Sequence, residues 1–471
     1  MSIGLKEIKT VPKSLIRVVF LSLIAIGVAG MVVAGGKAEK AKVEIELLLV
    51  EAEYSTQTNE LLKMYSKENP NVSFKIHGWT EGQDAVWEAR IAAGDPPHLF
   101  ENAPANPITK DRYEFLYDLR KLDYPYWDRF PFDVKTRWSE VFGVPNYLPI
   151  LPIWSPVIRT FIYDAEKMKE AGLNPKETVK TLADLESFLA QLKKYVDSKK
   201  GTTLQYVFDM GWTPNGYGRA VPFAITTMVA SLDEQYAVWQ GKIRWDDMEK
   251  SPYAKSMALI KKWYDLGYFP PKFWTRQWEP DYEAGFIAGK SIFTWHGPWL
   301  WDKFIAAKPT AKLDGFTLPP NKDKLVGTDS FVPDNGVGIF KVHEKKPMFE
   351  EVKKFFVWYN SPKIVKARAE IRGRVPLFNL QDVGSPNLRG LQYTQVVRPF
   401  NEGKLWGADV RWDMRPWPDG IVAKYRVKGT PEVLRDDAMA AVWGDFLENR
   451  ISLKEFLSIL QKRWEVAYKF N

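Results

Sequence analysis

The 471-residue sequence has no cysteine and only four histidines. The first absence excludes structural disulfides, thiol nucleophiles, thiolate metal sites and a lipid-modified amino-terminal cysteine. The histidines, His77, His98, His296 and His343, are not spaced as ligands on one element, so no metal is expected. Phosphate-cradling glycine loops, internal repeats and low-complexity tracts are missing too, and no cofactor is implied. The net charge of +8 owes three units to the first seventeen residues, Lys6, Lys9, Lys13 and Arg17 against Glu7. The remainder is mildly basic without a Lys/Arg stripe, which argues against a nucleic-acid partner.

Long apolar runs are confined to the amino terminus. The uncharged stretch Val18–Gly36 follows the four basic residues and ends in small residues around Ala34-Gly35. That order is the pattern of an export signal, expected to span residues 1–34 and to leave a mature amino terminus near Gly35 to Lys37. A retained anchor is the alternative, although the run is short for a bilayer span. Twenty tryptophans stand out against these absences. Most belong in cores, but the number leaves some for exposed aromatic platforms.

The rest of the chain reads as α/β. Val43–Leu47 alternates and turns fully apolar through Val50; Val72, Phe74 and Ile76 alternate again; a short strand is expected around His98–Phe100. Helices are expected over 56–67 and 83–93 between them, a pattern of strands and helices that builds a parallel sheet. A second unit begins near Arg159 with a strand over Thr160–Tyr163, a helix over Asp164–Ala171, and a capping box at Thr181–Asp184. Ligands collect at the carboxyl ends of such strands, here the segments 51–54, 78–82 and 101–106.

One segment is specific: Gly285-Phe286-Ile287-Ala288-Gly289-Lys290-Ser291-Ile292-Phe293-Thr294-Trp295-His296-Gly297-Pro298-Trp299. With Ile91–Pro97, Phe142-Gly143-Val144-Pro145, Phe161-Ile162-Tyr163 before Ala171-Gly172-Leu173, Gly336-Val337-Gly338-Ile339 and Arg374-Val375-Pro376, it occurs in the order seen in extracellular solute-binding proteins of carbohydrate ABC transporters. The chain resembles that family, which includes maltose-binding protein, over most of residues 43–380 and the final helix. Nothing aligns securely between about Leu391 and Lys428.

The resemblance implies a two-lobed periplasmic-binding-protein fold with discontinuous lobes, residues 37–155 and 332–385 forming one and 160–327 and 390–471 the other. It further implies a ligand cleft between the lobes, a sugar as ligand, ABC permease subunits as partners, a monomer, and a periplasmic or extracellular location. Trp299 corresponds to the family's sugar-stacking tryptophan, and an aromatic plane beside polar groups suits the apolar face and hydroxylated rim of a sugar ring. Trp295 and His296 flank the same loop, and one of these three residues is expected to point inward as packing. Glu53, Tyr54, Trp79 and Asn102 follow the first three strands. Trp154 lies near the first crossover, and Trp212 and Tyr217 lie in a turn-like aromatic stretch. Trp412, in the unaligned part, is included on its chemistry, with core packing as the alternative.

Two other functions stay open. A peptide, polyamine or osmolyte could replace the sugar, a quaternary amine fitting an aromatic cage. A secreted glycoside hydrolase would need two opposed carboxylates, for which Glu53, Glu81, Glu101 and Asp409 are conceivable. A uronate ligand would use Arg159, Arg219, Arg374 or Arg411.

Overall fold

The computed structural model describes residues 42–49, 55–78, 84–102, 113–130, 133–136, 146–154, 160–211, 220–297, 299–324, 326–328, 336–372, 376–377, 379–380, 382–384, 405–407 and 436–467. Its strands are β1 (Val43–Leu49), β2 (Val72–Gly78), β3 (Leu99–Asn102), β4 (Leu151–Pro152), β5 (Thr160–Asp164) and β6 (Tyr206–Asp209). They continue with β7 (Ser291–His296), β8 (Leu313–Phe316), β9 (Val326–Thr328), β10 (Gly336–Ile339) and β11 (Leu405–Gly407). One sheet has the order β2-β1-β3-β10-β4 and another the order β6-β7-β5-β8, while β9 and β11 pair by themselves.

The first sheet is buried on both faces, which explains why β1 changes from alternation to the continuous run Leu47-Leu48-Leu49. Helix Ser55–Glu68 covers it with Leu61, Leu62 and Tyr65, and helix Phe349–Tyr359 with Phe349, Val352, Phe355, Phe356 and Tyr359, all buried. The Tyr65 ring meets Phe355 and Trp358 edge-on at 5.2 and 5.0 Å. Gly336 and Gly338 are required where β10 crosses the sheet. A Cβ at Gly336 would strike Ile150, and one at Gly338 the ring of Phe100.

In the second sheet β5, β6, β7 and β8 each supply one phenylalanine to a single stack. Phe161 lies 4.7 Å from Phe293 and 5.1 Å from Phe316, and Phe208 lies 5.1 Å from Phe293. Phe188 closes the stack edge-on from helix Leu182–Ser198, whose Thr181–Asp184 capping box is formed on both sides. Burying each ring is worth about 2–3 kcal/mol. Helices Asp436–Leu447 and Leu453–Ala467 return to this core through Trp443, Phe446, Phe456, Leu460 and Trp464. Each lobe is therefore discontinuous in sequence.

Two element ends differ from expectation. Pairing with β10, Val337 opposite Glu101 and Gly336 opposite Asn102, extends β3 so that both residues sit on the strand instead of in the loop after it. Asp164 stands outside its helix as the N-cap, accepting from the backbone N–H groups of Glu166 and Lys167.

Candidate functional site

Strand direction decides where the two sheets can cooperate. β1, β2 and β3 run parallel and end at Leu49, Gly78 and Asn102. β10 is antiparallel to β3 and begins at the same edge, and Pro152 at the end of β4 pairs with Gly336 there. In the second sheet β6 and β7 are parallel and end at Asp209 and His296; the antiparallel β5 begins opposite His296. The chain thus leaves one ligand-type edge after Trp154 and enters the other at Thr160. Six residue steps span at most about 20 Å. β8 ends opposite Phe161 at this second edge, and from there the chain returns to Gly336 at the first. Both crossings join carboxyl-end edges, where α/β sheets bind ligands.

Of the residues expected in the site, Asn102, Trp154, Trp295, His296 and Trp299 lie at these edges. Glu53, Tyr54, Trp79, Trp212 and Tyr217 lie in the connections after β1, β2 and β6, and, with Trp412, outside the described residues. Of Asn102 and Trp299 only the backbone is described: Asn102 ends β3, and Trp299 opens helix Trp299–Ala307. The other three are enclosed. Trp154 and His296 are 0% exposed and Trp295 2%. Trp295 and His296 both pack inward, where one of the three residues of that loop is expected to, and the Trp295 ring lies 5.0 Å from that of Phe161.

Beneath the first edge lies a charged cluster. Glu101 and Arg368 are each 1% exposed, with Arg368 Nη2 2.7 Å from Glu101 Oε2. Trp154 donates its indole N–H to Glu101 Oε1 at 3.0 Å, and the Tyr359 hydroxyl donates to Oε2 at 3.1 Å. Arg368 Nη1 donates to the carbonyl of Tyr359 and to Asn360 Oδ1, and its guanidinium lies 3.8 Å from the centre of the Tyr359 ring. Both Glu101 oxygens are thus engaged inside the lobe, while Arg368 Nε is buried without a hydrogen-bond partner.

The second edge rests on the segment between Arg276 and Glu283, which includes a π-helical turn, Trp278–Glu283. Arg276 pairs with Asp209 and donates to the Met210 carbonyl, clamping the end of β6. Tyr282 donates its hydroxyl to the Trp295 carbonyl. Glu283, 3% exposed, places Oε1 3.0 Å from His296 Nε2 and Oε2 2.7 Å from Lys303 Nζ. Burial pushes the Glu283 carboxyl upward, but His296 and Lys303 outweigh it and its pKa is lowered. For Asp209 burial wins over Arg276, and its pKa rises to about 6. Asp209 Oδ2 is buried without a hydrogen-bond partner.

The profile of the bacterial extracellular solute-binding proteins matches residues 60–380. The chain belongs to this family. The fold agrees: a chitin oligosaccharide binding protein, 19% identical, superposes over 91% of this chain and all of its own with a TM-score of 0.63. The solute-binding protein RafE in complex with raffinose, 16% identical, covers 91% of this chain and 100% of its own at 0.62. A sugar transporter from Bacillus licheniformis in complex with stachyose, also 16% identical, covers 90% and 100% at 0.57. A search of curated proteins finds no match.

In this solute-binding protein the supporting charges escaped the sequence reading. Asp209, Arg276, Glu283 and Arg368 were not singled out, and Glu101 was considered only as a hydrolytic carboxylate. Arg368 did carry a signal. It shares a helical stripe with Ile364, Val365 and Ala369, all buried, and a charge within such a stripe requires a partner. Asp209 likewise interrupts the buried run Val207-Phe208-Met210. Nothing in the spacing indicates which partners they take.

Proposed function

We propose that this solute-binding protein captures a sugar, of oligosaccharide length, where the carboxyl ends of its two sheets face the crossing segments, and delivers it to the permease of an ABC importer. The observation that carries the reading is the likeness over about nine-tenths of the chain to proteins described as binding chitin oligosaccharide, raffinose and stachyose. Trp79, Trp212 and Trp299, which follow β2, β6 and β7 in the sequence, support it, because each sugar ring wants an aromatic platform. Trp299, Glu53, Tyr54, Trp79, Asn102, Trp212, Tyr217 and Trp412 are the proposed contacts; Trp154, Trp295 and His296 hold the edges from beneath. The lobes are assigned to 37–155 with 332–385 and to 160–327 with 390–471. Export by residues 1–34 leaves a monomer in the periplasm or outside the cell.

Binding without turnover is the proposed activity, and the engagement of Glu101 with Arg368 supports it, since that carboxylate is not free to act on a bond. A thermal-shift screen against chitin oligosaccharides, raffinose-type sugars, uronates, peptides and polyamines tests the reading, because a ligand of the folded state raises the melting temperature. A shift with an oligosaccharide that is recovered intact is expected. Shifts confined to peptides or amines, or hydrolysis of the sugar, would overturn it. Trp299→Ala should weaken the sugar about 10-fold or more, a loss of about 1.4 kcal/mol, while the fold survives. Unchanged affinity removes Trp299 from the site.

A further inference from the structure

His296 occupies an unusual position behind the Gly297-Pro298-Trp299 turn. It is fully buried, and both ring nitrogens face acceptors: Nδ1 lies 3.0 Å from the Gly297 carbonyl and Nε2 3.0 Å from Glu283 Oε1. A neutral imidazole carries one N–H and can serve only one of them. The other nitrogen would then aim a lone pair at an oxygen. Glu283 does not relieve the conflict as a neutral acid, because the Lys303 ammonium, 2.7 Å from its second oxygen, favours the ionised carboxylate. The Gly297 carbonyl also accepts the N–H of Leu300 at 3.3 Å, which closes the first turn of the helix that Trp299 opens.

We propose that His296 is held as the imidazolium between Glu283 and the Gly297 carbonyl, and acts as a positioning residue that fixes the turn presenting Trp299 to the ligand. The remaining groups around it agree with a single buried cation. Lys303 reaches the cluster from helix Trp299–Ala307 but bonds the far oxygen of Glu283. The Tyr282 ring lies 5.3 Å away with its hydroxyl committed to Trp295. From β5 the residue opposite is Thr160, without charge, and Asp209 at the end of β6 is paired with Arg276. When His296 loses a proton, one of its two bonds becomes a repulsion. The clamp on Gly297 then loosens, and ligand affinity falls as pH rises.

The assignment of Trp299 rests on the proposed function, so the test has one arm that needs no ligand. Protein labelled with 15N-histidine gives signals from four histidines, and loss of one in His296→Asn assigns it. At pH 7.5 His296 is expected to be protonated on both nitrogens, and Glu283→Gln should render it neutral at that pH. A neutral His296 in the folded wild-type protein would overturn the proposal. In the second arm, raffinose and chitin oligosaccharide affinities are measured from pH 6 to 9. The wild type should weaken toward alkaline pH, Glu283→Gln should weaken from a lower pH, and His296→Asn should be weak and pH-independent. Parallel profiles in all three would overturn the positioning role, with melting curves confirming that each variant folds. If neither sugar binds, the second arm counts against the proposed function while the first still decides the state of His296.

Discussion

The two ligand-type edges both rest on buried carboxylates, but the lobes neutralise them differently. In the first lobe Glu101 is met by a guanidinium, an indole N–H and a phenol, and that guanidinium is in turn spread over a carbonyl, an amide and a ring face. In the second lobe Asp209 is met by Arg276 and Glu283 by His296 and Lys303, and Asp209 keeps an unbonded oxygen inside the protein. Arg368 Nε in the first lobe and Asp209 Oδ2 in the second are both buried without a hydrogen-bond partner, and in the second burial outweighs Arg276 and raises the Asp209 pKa.

The largest effect should come from breaking the first arrangement. Arg368→Met leaves Glu101 buried without its cation, which costs about 3–5 kcal/mol. Adding Glu101→Gln removes the stranded charge, so the double variant should recover much of the loss in urea unfolding. A single variant as stable as the wild type would mean that the pair is not closed as described. The equivalent loss at Asp209 is smaller and has a pH signature. Its folded pKa, about 6, lies above the ordinary carboxylate value of 3.8. The contribution is therefore complete below about pH 4 and is lost as pH rises through 6, on the order of 3 kcal/mol. Asp209→Asn should abolish that slope; a slope that persists would assign it elsewhere.

The first lobe should respond in the opposite direction. The His98 and His343 rings lie tilted against each other with centres 4.3 Å apart, and His98 Nδ1 accepts the backbone N–H of Glu46. Burial lowers the His98 pKa to about 4 and lowers that of His343 as well. Because protons bind the unfolded histidine first, stability is full above pH 6.5 and is lost as pH falls toward 4, on the order of 3 kcal/mol for His98. Glu46, lowered to about 2 by Arg90, His77 and Lys75 against burial, extends the loss below pH 4.5. Hydrogen exchange at pH 7 and pH 5 resolves the two lobes. Acid should loosen amides around β1 and β3 while amides around β6 tighten; parallel changes in both lobes would end the contrast.

What the sequence revealed follows the same division between local and non-local causes. Strands, helix caps and the order of the two units are written in spacing that neighbours within a few residues enforce. The Thr181–Asp184 box and the alternation of β2 needed no tertiary knowledge. The edge positions of Trp154, Trp295 and His296 were also legible, because a residue's place at a strand end is local. Their burial was not, since it depends on Glu101, Phe161 and Glu283, which the fold brings from 53, 134 and 13 positions away. A tryptophan at a strand end looks the same in sequence whether its face meets a sugar or its N–H meets a buried glutamate.

Trp154 gives the smallest but most local test of that distinction. It ends the strand from which the chain crosses to the second lobe, and its backbone pairs with Pro376 in an isolated bridge. Trp154→Phe keeps an aromatic ring near Arg368, whose guanidinium carbon lies 5.2 Å from the indole ring, and removes only the N–H that Glu101 accepts. Because Tyr359 and Arg368 still hold the carboxylate, the loss should be about 1.5–3 kcal/mol, that of one bond to a charged group. Sugar affinity should change less than 3-fold if the indole serves only Glu101. A 10-fold weakening with little loss of stability would instead place Trp154 at the ligand, and the first edge would then move with its cargo rather than stand beneath it.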